Sequence, residues 1–178
     1  KLGSRLQGHP SSKYLPEVEN SSGSLGQGLA NASGLALGLR LQKNTGRVFL
    51  GMSDGECQEG MTWEAAMAAA HNKLTNIHPF LDFNNIQIDG KVDKVMGIEP
   101  LDQKFMGFGW KVRVADGHNF KAIAEAFDWS LRDEGAPKMI LFKTVLGKGV
   151  SFMENNPDWH GSPPNQKDRD LAIAELSA

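Results

Sequence analysis

Helix-type and strand-type segments alternate along this chain of 178 residues, and that order limits the fold more than any other feature. Four segments carry apolar residues at helical spacing: residues 24–41, 59–74, 101–108 and 119–132. Asn119 is the expected N-cap of the last of these helices. Four short apolar or alternating runs are typical of strands: residues 46–50, 76–83, 110–115 and 137–146. Strands joined by helices favour a mostly parallel sheet with helices on both faces, so the predicted fold class is α/β.

The remaining segments of the chain do not indicate a second domain. Residues 151–167 are rich in Asn, Pro and Gly and are predicted to form an ordered loop before a short C-terminal helix. Pro79 argues against a regular strand over 76–83, because proline lacks the N–H that a sheet uses. No internal repeat or linker divides the chain, so we expect one domain over residues 1–178. Because the chain starts at Lys1 without methionine, we expect that its N-terminal portion is missing.

Composition excludes several classes of function. The net charge of −2 argues against nucleic acid as the main partner, since such partners favour a basic face. No apolar run reaches the length of a membrane span, and no secretory signal is present. Cys57 is the single cysteine and forms no intramolecular disulfide. We therefore expect an intracellular, cytoplasmic protein, in which Cys57 is a small packed residue.

Two polar residues, Asp54 and Asn84, each follow an apolar run and are separated by one strand–helix–strand unit. In such folds ligands bind beyond the carboxyl ends of the strands, where both side chains are expected. A carboxylate at the end of a buried strand is costly unless a partner compensates it. A carboxylate with an amide oxygen suits a hard cation, such as Mg²⁺, that holds a phosphate. Asn84-Asn85 alone is more typical of a turn, but its pairing with Asp54 favours a metal site.

A glycine-rich turn at residues 23–28, GSLGQG, precedes the first predicted helix. Glycines allow close approach of a ligand to the backbone, and a helix N-terminus favours an anion. The alternative is close helix packing, which the four-residue spacing of Ala30, Gly34 and Gly38 also indicates.

Two histidines, His9 and His160, lie in predicted loops beside turn residues. Loop histidines that flank a candidate phosphate site are as suited to a ligand role as to a solvated one. For His71, His78 and His118 a structural or solvated role is the more typical one.

Four stretches together resemble the transketolase family: GSLGQG at 23–28, SDGECQEG with WEAAMAAAHNKL at 53–74, NNIQIDG at 84–90 and KTVLGKGVSFMENNPDWHG at 143–161. The resemblance extends from the GHP segment near the start to the WHG segment near the end. More narrowly, the chain is similar to the N-terminal, pyrophosphate-binding half of these enzymes, which in split transketolases is a separate subunit.

The resemblance implies a thiamine diphosphate-binding fold with a magnesium ion between protein and cofactor. By position in the family pattern, the side chains of Asp54 and Asn84 and the carbonyl of Ile86 would bind the metal. Gly55 would approach the diphosphate.

The resemblance also implies roles for five residues around the cofactor. Gly23 and Leu25 would line the thiamine. His160 would reach the diphosphate and the substrate side, and His9 would contact the sugar near its reacting carbonyl. Glu59 would lie at the subunit interface, in a network that joins two active sites.

The implied reaction is the transfer of a two-carbon ketol unit from a ketose phosphate to an aldose phosphate, as in the pentose phosphate pathway. In the family, the glutamate that activates the cofactor's aminopyrimidine belongs to the pyrimidine-binding half, which is absent from these residues. We therefore expect activity only with a C-terminal partner half or subunit, in a dimer or heterotetramer.

Ser53 departs from the family pattern, because it stands where the first glycine of Gly-Asp-Gly is usual. Either the backbone there has a negative φ or the loop shifts, and we expect tolerance with weaker cofactor binding. Two alternatives remain: another thiamine diphosphate enzyme, such as a 2-oxo acid dehydrogenase alpha component or a deoxyxylulose phosphate synthase, and a regulatory subunit that binds cofactor without catalysis. A purely structural role leaves the pairing of Asp54 with Asn84 unexplained.

Overall fold

The computed structural model describes residues 3–177. Its six helices are α1 (Gly28–Leu41), α2 (Gly60–His71), α3 (Val92–Val95), α4 (Leu101–Gly107), α5 (Phe120–Ser130) and α6 (Gln166–Leu176). Its six strands are β1 (Val48–Ser53), β2 (Ile77–Phe83), β3 (Ile86–Gln87), β4 (Gly90–Lys91), β5 (Lys111–Asp116) and β6 (Lys138–Lys143). Short 3-10 turns occupy Gly55–Gln58 and Pro157–Trp159.

Four strands form one sheet in the order β1-β2-β6-β5, and every neighbouring pair is parallel. The carboxyl ends of β1 and β2 lie side by side, because Ser53 is in register with Asp82. The strands β3 and β4 form a separate antiparallel pair just beyond the end of β2. The predicted α/β class and parallel sheet are confirmed.

Helices cover both faces of the sheet, as predicted. On one face a single apolar cluster joins residues of α1, α2 and α4 to the sheet, and Leu29, Ala66 and Phe105 are fully buried in it. On the other face α5 packs through Ala126 and Phe127 against the aromatic side chains of the sheet. Asn119 caps α5 as predicted, since its side chain accepts hydrogen bonds from the N–H groups of residues 121 and 122.

Several element boundaries differ from the predictions. Helix α1 begins at Gly28 rather than at residue 24, because Gly23 and Gly26 have positive φ angles of 129° and 82°. Pro79 does lie within β2. The pairing of β2 with β6 starts at Phe80, after the proline, so the missing N–H removes no bond between those two strands. The pair β3–β4 and helix α3 had no counterpart in the predicted elements.

No helix among residues 3–177 is both long and apolar enough to cross a membrane. Cys57 is buried in the apolar cluster that α1, α2 and α4 form with the sheet. Burial, with Glu56 and Asp54 nearby, raises the pKa of its thiol to about 12. The prediction of a small packed cysteine is confirmed.

Candidate cofactor-binding site

Asp54 lies directly after β1 and is almost fully buried, with 1% of its surface exposed. Its Oδ1 accepts a hydrogen bond of 2.7 Å from the N–H of Gly55, and its Oδ2 accepts one of 2.5 Å from the N–H of Asn85. Burial raises the pKa of the Asp54 carboxyl, and the two backbone hydrogen bonds oppose that rise. The carboxylate is therefore oriented by two loops, and no ion pair with it is found among residues 3–177, so that a cation would supply its countercharge.

Asn84 follows β2, and both ends of its amide are fixed. Its Nδ2 donates to Oδ2 of Asp82 at 2.9 Å, and its Oδ1 accepts from the N–H of Ile86 at 2.7 Å. Asp82 in turn accepts a hydrogen bond from the hydroxyl of Thr144, which follows β6. Asp82 and Thr144 were not among the predicted site residues.

The turn between β2 and β3 is held in place from several sides. Asn85 has a positive φ of 60°, a conformation that asparagine tolerates better than most residues. Its side chain exchanges two hydrogen bonds with Asp93, and its carbonyl accepts from the N–H of Val92. This turn presents the Asn85 N–H to Asp54, so that the turns after β1 and β2 form one unit.

The residues at this edge of the sheet fit a magnesium ion that binds a diphosphate. Asp54, Asn84 and Ile86 contribute a carboxylate, an amide and a main-chain carbonyl, all of them hard oxygen donors. Residues 3–177 contain no group of three or more His, Cys, Asp or Glu side chains arranged for a metal. Mg²⁺ is commonly held by one or two carboxylates with phosphate oxygens, and a single carboxylate here agrees with that pattern.

The glycine turn at residues 23–28 lies close to two of the predicted site residues. A Cβ on Gly23 would lie 3.3 Å from the imidazole of His9, so the absence of a side chain lets that ring approach. A Cβ on Gly26 would lie 2.6 Å from Cβ of Glu59. Leu25, which stands between these two glycines in the sequence, has a side chain that is 56% exposed. The turn thus brings the GHP segment and the start of α2 together at the carboxyl edge of the sheet.

A carboxylate of the chain itself lies at the N-terminus of α1. Oε1 of Glu56, a buried residue, accepts a hydrogen bond of 2.9 Å from the N–H of Gly26. The capping residue Gln27 makes no side-chain cap. The anionic ligand expected beside this turn stays a prediction, and the Glu56 carboxylate is a contact that the sequence did not indicate.

His160 belongs to the loop after β6, far in sequence from the other predicted residues. It is exposed and ends the 3-10 turn Pro157–Trp159, and that turn contacts β4. The surrounding loop is ordered, as predicted: Nε1 of Trp159 donates to the carbonyl of Phe152 at 3.0 Å, and the two rings are 5.5 Å apart.

The backbone conformation at position 53 is one that serine readily adopts. The non-glycine residues with positive φ in the described part of the chain do not include it, so its backbone has the ordinary sign that serine needs. Its hydroxyl accepts a hydrogen bond of 3.2 Å from the N–H of Glu56. Of the two possibilities raised by the sequence, the negative φ is the one that the structure has.

The comparison with family models decides the relationship. The model described as "Transketolase, thiamine diphosphate binding domain" matches residues 1–176. The chain belongs to the transketolase family. It corresponds to the N-terminal, thiamine diphosphate-binding domain of that family, as the sequence predicted.

Named relatives include subunits of split enzymes. The chain is 37% identical over 174 residues to a 6-deoxy-6-sulfo-D-fructose transketolase subunit of Clostridium sp. (strain MSTE9), covering 98% of this chain and 63% of the relative. It is 35% identical over 173 residues to an apulose-4-phosphate transketolase subunit of Actinobacillus succinogenes, covering 97% and 62%. The chain thus spans somewhat less than two thirds of the length of these relatives.

A solved transketolase has the same fold. The crystal structure of transketolase from Campylobacter jejuni matches with a TM-score of 0.90 and 30% sequence identity, over 99% of this chain and 29% of that one. Transketolase from Leishmania mexicana matches with a TM-score of 0.88 at the same identity, over 99% of this chain and 28% of its own.

Proposed function

We propose that this chain is the pyrophosphate-binding domain of a transketolase, which transfers two-carbon ketol units from a ketose phosphate to an aldose phosphate. The observation that carries the proposal is the buried Asp54 carboxylate, whose two oxygens are held by the N–H groups of Gly55 and Asn85. A fixed buried carboxylate with hard oxygen donors beside it is suited to a Mg²⁺–diphosphate group. The bound cofactor supplies a nucleophilic carbon and an electron sink for breaking the ketose carbon–carbon bond.

In this proposal the residues divide the binding of the cofactor among themselves. The metal is held by Asp54, Asn84 and the carbonyl of Ile86. The small Gly55 lets the diphosphate approach the backbone. Gly23 and Leu25 line the thiamine, and the exposure of Leu25 leaves an apolar side chain free for such a contact.

The two loop histidines act on the substrate side. His9 is placed by its contact with Gly23, so its imidazole lies beside the proposed thiamine position, where it can hold or move a proton at the substrate oxygen. His160 comes from the loop that contacts β4 and binds the diphosphate and the substrate from the other side. Both side chains are exposed, as residues that meet a substrate must be.

The proposal requires a second half. Two relatives are named as subunits, which supports a partner that carries the pyrimidine-binding domain. Leu25 and Ile88 are 56% and 77% exposed near the site, an exposure that a docked partner would reduce. Glu59, exposed beside Gly26, would lie in that interface. We propose a dimer or heterotetramer in the cytoplasm that acts on sugar phosphates such as those of the pentose phosphate pathway.

Reconstitution tests this function. The full-length protein is combined with its partner half, thiamine diphosphate and Mg²⁺, and ketol transfer is measured with ketose phosphates and, for comparison, 2-oxo acids. We expect turnover with ketose phosphates that is lost in Asp54→Ala and kept in Asp128→Ala, an exposed carboxylate on α5. Turnover with 2-oxo acids alone, or cofactor binding without any turnover, would contradict the proposal; the second result would indicate a regulatory subunit.

A further inference from the structure

One side chain joins the two turns that flank the candidate site. Glu56 belongs to the 3-10 turn directly after Asp54, and Gly26 belongs to the turn that leads into α1. The 2.9 Å hydrogen bond from the Gly26 N–H to Oε1 of Glu56 is buried and crosses thirty residues of sequence. Glu56 itself is only 7% exposed. A buried carboxylate is costly without partners, and the Gly26 N–H is the partner that compensates this one.

The glycines of the turn make room for this contact. Gly26 has a φ of 82°, and any side chain there would collide with Glu59. A Cβ on Gly28 would lie 3.1 Å from Cδ1 of Leu50 and 3.5 Å from Oε1 of Glu56. The glycine turn is therefore shaped to approach the segment after β1.

The main chain of Glu56 is fixed on both sides. Its N–H donates to the Ser53 hydroxyl at 3.2 Å, and its carbonyl accepts from the hydroxyl of Thr62 at 3.1 Å. The carboxylate also lies at the N-terminus of α1, where the helix dipole favours a negative charge. The N-cap residue Gln27 makes no side-chain cap, and Glu56 accepts from the N–H of the residue just before it, Gly26.

We propose that Glu56 is a positioning residue of the cofactor site, an inference that rests on the proposed function. Its carboxylate sets the distance between the turn that holds Asp54 and the turn that carries Gly23 and Leu25. Those two turns bind opposite ends of the cofactor in the proposed function, so their separation must match its length. Ser53 contributes by fixing the backbone from which the Glu56 side chain extends.

The test uses the full-length protein assembled with its partner, and three variants. Glu56→Ala removes the acceptor, Glu56→Gln keeps an acceptor oxygen without the charge, and Ser130→Ala removes a buried side-chain hydrogen bond of α5, on the other face of the sheet, while leaving the link to Gly26. Amide hydrogen exchange of peptides covering residues 23–28 reports the turn directly, without cofactor. The half-saturating concentration of thiamine diphosphate and the kcat at saturating cofactor report the site.

In Glu56→Ala we expect exchange in residues 23–28 to accelerate about tenfold or more, the loss of a hydrogen bond to a charged acceptor. We expect a similar rise in the half-saturating cofactor concentration, with kcat at saturation changing less than about threefold. Glu56→Gln should recover most of both effects. Ser130→Ala should lower the melting temperature without changing the cofactor constant, which separates positioning from general destabilisation.

Three results would overturn the inference. Unchanged exchange in Glu56→Ala would show that the link does not hold the turn. An unchanged cofactor constant despite faster exchange would remove its role in the site while leaving the proposed function intact, as would an equal loss of affinity in Ser130→Ala. A wild-type assembly that binds no thiamine diphosphate would overturn the proposed function and this inference together.

Discussion

The carboxylate of Asp54 accepts a hydrogen bond of 2.5 Å from the main-chain N–H of Asn85, which joins the turns that follow two neighbouring strands. The strands β1 and β2 end side by side, and this bond extends their pairing into the loops. The consequence is chemical as well as structural. A buried carboxylate is oriented by the fold before any cation arrives, so less of the binding free energy is lost in ordering the ligand.

Replacing this carboxylate should separate cofactor binding from folding. Asp54→Asn removes the negative charge that a cation needs, and we expect Mg²⁺-dependent affinity for thiamine diphosphate to fall about 100-fold or more, beyond the 10–100-fold typical of outer-shell changes. The melting temperature should change by only a few degrees, because relief of a buried charge offsets one lost hydrogen bond. Calorimetric titration of the assembled protein measures the first effect and thermal unfolding the second.

Asp128→Asn is the matched control for that measurement, since it removes an exposed carboxylate on α5. It should leave both quantities unchanged. Cofactor affinity that survives in Asp54→Asn would contradict the assignment of Asp54 as a metal ligand.

Asp82 should tune the site without binding the metal. Its carboxylate accepts from Nδ2 of Asn84 and from the hydroxyl of Thr144, which holds the Asn84 amide in one orientation. In Asp82→Ala the amide is free to rotate, and we expect Mg²⁺ affinity to fall about 10–100-fold. Thr144→Val, which removes a single partner of Asp82, should have a smaller effect. Titration with Mg²⁺ at fixed thiamine diphosphate measures both, and an effect of Thr144→Val as large as that of Asp82→Ala would contradict this order.

The sequence was sufficient for the sheet and for the placement of Asp54 beside the Asn84 turn. The alternation of helix-type and strand-type segments predicts a parallel sheet. In such a sheet the segments that follow neighbouring strands meet at one edge. The link between Glu56 and Gly26 was not predictable in the same way, because it depends on a contact between turns distant in sequence. The pattern Ser53-x-x-Glu56 is a signal for a helix cap. In the structure the Ser53 hydroxyl accepts from the N–H of Glu56, as that pattern predicts. The Glu56 side chain does not return to Ser53 but accepts from the N–H of Gly26.

The role of Asp82 was not predicted from the sequence, for a different physical reason. It lies inside a strand, where a polar residue is typical of a solvated face, and its role depends on the rotamers of its neighbours. The boundary of α1 was wrong because the sequence pattern does not report the sign of φ at Gly23 and Gly26.

Ser53 should stabilise the 3-10 turn that follows β1, at the position where the resemblance to the family implies a glycine. Its hydroxyl accepts a hydrogen bond from the N–H of Glu56 within the 3-10 turn, whose N-cap is Asp54, and the loss of one such hydrogen bond costs about 1 kcal/mol. We therefore expect Ser53→Ala to lower the free energy of unfolding by about that amount. Ser53→Gly, which restores the family residue, should not increase cofactor affinity. Chemical denaturation and cofactor titration measure the two effects, and tighter cofactor binding in Ser53→Gly would show that serine weakens the site.

His78 should make the stability of the protein depend on pH. Its ring is buried in β2, lies 5.2 Å from the ring of Phe49, and has no hydrogen-bond partner for either nitrogen within residues 3–177. Burial lowers the pKa of His78, the positive charges of Arg47 and Lys138 act in the same direction, and the nearby main-chain carbonyl of Ser130 opposes them. The ammonium of Lys138 is itself held by the carbonyls of residues 129 and 132, with Glu134 3.5 Å away.

The direction of this pH dependence follows from how readily His78 binds a proton in the folded and in the unfolded chain. Below about pH 6.5, the usual pKa of histidine, the unfolded chain binds a proton that folded His78 resists. The stability that neutral His78 contributes is therefore complete above that pH and is lost as the pH falls, with a slope of at most about 1.4 kcal/mol per pH unit. His78→Phe keeps an aromatic ring and removes the titration, so its melting temperature should fall less than that of the wild type between pH 7 and pH 5. The exposed His71, replaced by Gln, should leave the wild-type pH dependence intact, and a His78→Phe profile parallel to wild type would show that other groups cause the acid sensitivity.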